Sequence, residues 1–101
     1  MRLIIEPELK ALMEKRGKHT IAVEVASSDG SDFEVQELHV HLVSDRDAAA
    51  LITRKHFHPR DAEGGGRVLL PNYRLEYDET VIFGVKRLLC FRLVSCRGIR
   101  F

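Results

Sequence analysis

The longest apolar-patterned stretch of the chain runs over residues 67–101. From Val81 its odd positions are Val81, Phe83, Val85, Leu89, Phe91, Leu93, Ile99 and Phe101, interrupted only by Arg87, Ser95 and Arg97. The even positions carry Lys86, Arg92 and Arg100 among smaller residues. Alternation with a period of two gives a strand with one buried face. A strand usually runs about 3–10 residues, so residues 81–101 must bend, and Gly84, Lys86-Arg87 and residues 95–98 are the candidate places.

Upstream the pattern changes period. Leu9, Leu12 and Met13 recur at helical spacing after Pro7, which suits a first helical position. Glu6 and Glu8 complement the positive start of a helix, Lys15 and Arg16 its negative end. Gly17 is a left-handed terminator. A helix is expected over 7–16. Ile21, Val23 and Val25 predict a strand over 20–26, followed by a polar turn over 27–32. A second strand is expected over 34–43, with Leu38, Val40 and Leu42 inward and Val35, Glu37, His39 and His41 on the other face. The two strands read as an antiparallel hairpin.

The middle is less regular. Ser44 followed by Asp47 resembles a capping box, and Ala48-Ala49-Ala50-Leu51 favours helix, while Leu51, Ile52, Thr53 and Phe57 also suit a strand. A short helical turn leading into an extended segment is expected. Residues 58–66 read as a loop that ends in three glycines. A brief strand at 68–70 is broken by Pro71-Asn72, and Tyr73, Leu75 and Tyr77 restart the alternation.

These elements predict one domain of the α+β class, mostly β. An amino-terminal helix packs on a small antiparallel or mixed sheet that curls towards a barrel-type sandwich. Composition agrees: 101 residues, 45% hydrophobic and 31% charged, are ordinary for a globular domain. Sixteen Lys+Arg against fifteen Asp+Glu leave a net charge of +1, no footprint for nucleic acid or an acidic membrane. No stretch approaches a spanning helix or a signal peptide. Two cysteines make no disulfide framework, and a cytoplasmic location is expected.

Several short runs resemble the HesB-like family, the fold of the A-type iron–sulfur carriers, and most of all its short branch with a paired-cysteine or selenocysteine motif. They are Leu3-Ile-Ile-Glu-Pro-Glu-Leu-Lys, Glu14-Lys-Arg-Gly-Lys, Ile21-Ala-Val-Glu-Val, Gly66-Arg-Val-Leu-Leu, Tyr73-Arg-Leu, Asp78-Glu-Thr and the closing Cys96-Arg-Gly-Ile-Arg-Phe. The resemblance implies a barrel-type sandwich and iron–sulfur chemistry. Yet this chain has Ser28 and Asp29 where the family carries its cysteine motif, and Ser95-Cys96-Arg97-Gly98 where carriers end in Cys-Gly-Cys. A serine hydroxyl is a poor substitute for the thiolate that holds a soft cluster.

The remaining candidate chemistry is sparse. Cys90 and Cys96 share parity, but along one strand they stand roughly 20 Å apart, too far for one metal. An iron–sulfur cluster would need thiolates from two subunits. His39 and His41 share a strand face, a spacing that can hold zinc, and His56 and His58 repeat it. The four could form one site if their segments lie adjacent. From residue 80 onward there are five basic residues and no acid, but parity divides Lys86, Arg92 and Arg100 from Arg87 and Arg97. That split and the missing aromatic platform argue against nucleic acid. Gly64-Gly65-Gly66 is not a phosphate loop, because no Gly-Lys-Ser/Thr follows. No catalytic residues are indicated. The leading expectation is a non-enzymatic HesB-like domain that holds no cofactor and works by contact with a protein partner. A zinc module and a residual iron–sulfur carrier are the alternatives. The apolar final strand also predicts a homodimer.

Overall fold

The computed structural model describes residues 1–29 and 34–101. Its elements are β1 (Arg2–Ile5), α1 (Pro7–Arg16), β2 (Thr20–Asp29), β3 (Glu34–Val43), α2 (Asp45–Lys55), β4 (His58–Asp61), β5 (Arg67–Leu70), β6 (Glu76–Leu88) and β7 (Phe91–Arg100). They form two mixed sheets, ordered β1-β6-β7 and β3-β2-β5-β4. The α+β, mostly-β class expected from the sequence is the one observed.

α1 starts and stops where its sequence says. Pro7 occupies the first helical position, and Gly17 closes the helix at φ 63°, its N–H donating to the Glu14 carbonyl. Leu9, Leu12 and Met13 are buried. They join Leu3 and Ile5 of β1, Ile21 and Val23 of β2, Val68 and Leu70 of β5, and Val81 and Phe83 of β6 in the main core between the sheets. The sheet edges approach each other on both sides. On one side β1 meets the segment after β4: Ile4 bridges Glu63, Glu63 N–H donates to the Leu3 carbonyl, and Arg2 grips the Glu63 carboxylate with two hydrogen bonds of 2.8 and 2.9 Å. On the other side β7 lies beside β3.

The outer face of the four-stranded sheet has its own smaller core. Ala22, Val43 and Leu69 pack there with Ala48 and Phe57, flanked by Leu51 and Ile52. α2 therefore covers this face. It is a full helix of 11 residues, where the sequence suggested a short turn and then extended chain. The Ser44 hydroxyl caps it by accepting from Asp47 N–H at 3.1 Å. The helix stops at His56, which takes the left-handed conformation at φ 58°. The β-branched residues that suggested a strand are absorbed because Ile52 packs against the sheet.

Four further expectations are corrected. Residues 58–61, read as loop, form β4, since the sheet edge of β5 offers unpaired backbone groups that β4 satisfies. β2 extends to Asp29, so residues 27–29 are strand; the remainder of the expected turn lies outside the described residues. The alternation restarted at Tyr73 becomes strand only from Glu76. The chain reversal in the final stretch falls at Leu89-Cys90, outside the places expected, while a second irregularity at Gly98 lies within the expected 95–98.

That turn has only two residues, and Leu88 pairs with Phe91 across it. A two-residue turn puts an odd position opposite an even one: Val85 faces Val94 and Phe83 faces Cys96. The inward set is odd on β6 and even on the first half of β7. Gly98 then restores odd parity, because between the pairs Tyr77–Ile99 and Ile82–Arg97 residues 78–81 oppose Gly98 alone. Gly98 adopts φ 100°, and a Cβ there would lie 2.7 Å from the Thr80 carbonyl oxygen. Both facts require glycine at this bulge. Gly98→Ala is expected to destabilise the domain by about 2–3 kcal/mol, read as a lower midpoint in urea unfolding; an unchanged midpoint would refute the assigned register.

Candidate functional site

The hairpin frame exposes residues that the alternation assigns to the buried face. Leu88, Leu89, Phe91 and Leu93 are 54%, 93%, 63% and 47% exposed. Leu88 stands opposite Phe91, and Leu93 follows two residues along on the same face. Leu89 takes φ 57° at the turn, a conformation that costs a non-glycine residue about 1–2 kcal/mol. Where the tip passes the last turn of α1, Leu12, Phe91 and Leu93 share a groove of about 500 Å³ with Lys15, Arg16, Cys90 and Arg92. No acidic residue lines it.

The basic residues of the final stretch follow the same frame. Arg87 and Arg92 are directly opposed, so the expected division of these two between faces does not hold. Arg87 donates to Glu8 at 2.8 Å, Arg97 lies 3.8 Å from Glu6, and Arg100 is bound by Glu76 and Asp78. Among the described residues, Lys86 and Arg92 make no ion pair. Parity counted along an unbroken strand hid this arrangement. The residues that signal it are the cations bracketing the apolar run, Lys86-Arg87 before Leu88 and Arg92 after Phe91.

The histidines are not brought together. His39 and His41 lie on β3, opposite Glu24 and Ala22 of β2 and on the face turned away from the main core. His41 hydrogen-bonds the Glu24 carboxylate, and His39 lies 3.4 Å from Glu37. His58 is on β4, the opposite edge of the same sheet, and His56 ends α2. Three strand spacings separate those edges, about 14 Å. Among the described residues no three His, Cys, Asp or Glu side chains converge as a metal site requires. The four histidines therefore do not form the single site allowed for in the zinc alternative.

Nor do the thiols fit an iron–sulfur cluster. Cys90 is exposed in the turn, whereas Cys96 sits opposite Phe83, turned towards the core. Burial pushes the Cys96 thiol up to about 11, which makes it a poorer thiolate donor than an exposed cysteine. A cluster shared between subunits would have to draw Cys96 out of its own core. Ser28 and Asp29 end β2, their backbones paired with Val35 and Glu34.

No family model matches the chain, and neither curated proteins nor solved structures provide a match. No helix among the described residues is long and apolar enough to cross a membrane.

The two cysteines are expected to differ sharply towards a maleimide at pH 7.5. Cys90 should react within minutes and Cys96 only after unfolding, as peptide mapping would show. Equal rates in the native protein would refute the inward placement of Cys96.

Proposed function

We propose that this chain is a non-enzymatic protein-contact domain that uses the β6–β7 tip and its groove to hold an acidic segment carrying apolar anchors. The groove carries the reading: Leu12, Phe91 and Leu93 line it together with Lys15, Arg16 and Arg92, and no acid does. Apolar side chains of a partner would be desolvated against Phe91 and Leu93, while its carboxylates meet Lys15, Arg16 and Arg92. Such complementarity raises association rate and selects the partner, and the apolar centre supplies most of the affinity. Leu89 supports the same reading. An exposed leucine held at positive φ weakens the fold, and strain of that kind concentrates at working sites.

The HesB-like resemblance enters this proposal as a scaffold without cluster chemistry. Its support is the order of helix, hairpin and terminal strands, together with Ser28 and Asp29 at the ligand positions and a Cys96 turned towards the core. The homodimer expected from the final strand has less support than a different partner. Two copies joined at the tip would oppose their like-charged rims. Phe101, at the far end of the strand, is already packed edge-on against Tyr73 at 6.2 Å.

A photo-crosslinking residue in place of Phe91 is expected to capture one defined partner in the cells that make the protein, whereas the same residue in place of Arg46 should capture none. Loss of that product in an Arg16→Glu/Arg92→Glu background would support the acidic partner. An adduct to a second copy of this chain, or none above the Arg46 control, would sink it.

Leu89→Gly should separate stability from binding. It removes the positive-φ penalty and is expected to raise stability by about 0.5–1 kcal/mol, while lowering the crosslink yield from position 91. Loss of stability, or an unchanged yield, would show that Leu89 serves the fold rather than the contact.

A further inference from the structure

A second groove lies at the other end of β6. It has a volume of about 520 Å³, within the range of small-molecule sites, and is formed by β4, residues 71–74 and Tyr77. Its polar lining comprises His58, Arg60, Asn72, Tyr73, Arg74 and Tyr77. Leu70 and Pro71 give it an apolar wall. Tyr77 and the tip residue Leu88 are on the order of 30 Å apart along β6, so this groove is separate from the proposed contact surface.

Charge in this region is sorted by side. On β4, alternation places His58 and Arg60 on the groove side, and Pro59 and Asp61 on the other. On β6 it turns Tyr77 inward, while its neighbours Glu76 and Asp78 are both held by Arg100. Glu63, the acid nearest after β4, is occupied by Arg2. Glu76, Asp78 and Glu63 are thus already paired, Asp61 is turned away, and no acid lines the groove. Among the described residues, Arg60 and Arg74 have no acidic partner. The result is two guanidinium groups, an imidazole and two phenols around one cavity with no lining acid.

We propose that this groove binds a small phosphate monoester, with Arg60, Arg74 and His58 on the phosphate and the organic group against the tyrosines, Leu70 and Pro71. Guanidinium groups suit phosphate because their planar forks pair with its oxygens two at a time. A dianion also matches the two arginines better than a single carboxylate would. The Tyr77 hydroxyl, neutral at neutral pH, can donate to the ligand. The tyrosine rings and the Leu70–Pro71 wall have no use for a free inorganic ion, and they select for an ester with an aromatic or apolar group.

Phenyl phosphate is the probe, titrated against the whole protein by calorimetry and by amide NMR shifts. Saturable one-to-one binding is expected, tighter than that of inorganic phosphate, with shifts confined to β4 and residues 70–77. Arg60→Ala and Arg74→Ala should each weaken it at least tenfold, Arg60→Lys should fall between, and Arg46→Ala on α2 should leave it unchanged. The same spectra report whether each variant folds, and if Arg60→Ala does not, Arg74→Ala alone decides. Non-saturable binding, shifts spread over the basic surface, an equal loss in Arg46→Ala, or inorganic phosphate binding as tightly as the ester would each overturn the assignment.

Discussion

Phe83 has to satisfy three neighbours at once, and the remainder of the domain is arranged around that requirement. Its side chain is fully buried in the main core. Its backbone is flanked by Ile5 in parallel on one side and by Cys96 in antiparallel on the other. Its carbonyl accepts the Glu6 N–H at 2.8 Å, just where β1 gives way to α1. A central strand with both neighbours filled fixes the register of β1 and β7, and the Glu6 bond fixes where α1 departs. Gly84, the next residue, leaves room for the Glu6 side chain, which a Cβ at that position would strike. The entry of the helix and the path of the central strand are therefore one constraint.

Local signals in the sequence were sufficient where the chain needed only local information. α1 was legible because Pro7, the Leu9–Leu12–Met13 face and Gly17 each act within one turn of helix. The β2–β3 hairpin was legible because Ile21, Val23 and Val25 match Leu42, Val40 and Leu38 as opposed inward pairs. β4 was not legible, since its four residues are all exposed and include a proline. It is a strand only because β5 supplies an edge. α2 was half legible: Ser44 and the alanines named its start, but its length depends on an apolar sheet face that no local pattern reveals.

The final stretch failed for a different reason. Alternation reports which residues share a face only while the strand is unbroken. Here a two-residue turn exchanges the faces, and the bulge at Gly98 exchanges them again. Two errors of parity cancel at Ile99 but not at Phe91 and Leu93. The residues that best defined a core in the sequence thus became the exposed tip, and the candidate site was hidden by the signal that should have revealed the fold. The turn itself carried no warning, because Leu89-Cys90 has none of the Asn or Gly that favours tight hairpin turns.

Both chain ends lie beside the groove of His58 and Arg60. Met1 lines it directly, and Phe101 rests on Tyr73, one of its walls. An affinity tag or a fluorescent fusion joined to Met1 or Phe101 would begin beside the groove that Arg60 and Arg74 line. An acidic tag would act as a tethered competitor at high effective concentration, while the hairpin tip at the far end of β6 would be untouched. Labels placed on this protein are therefore not neutral with respect to its two surfaces, and a surface position on α2, which lines neither groove, is the sounder attachment point.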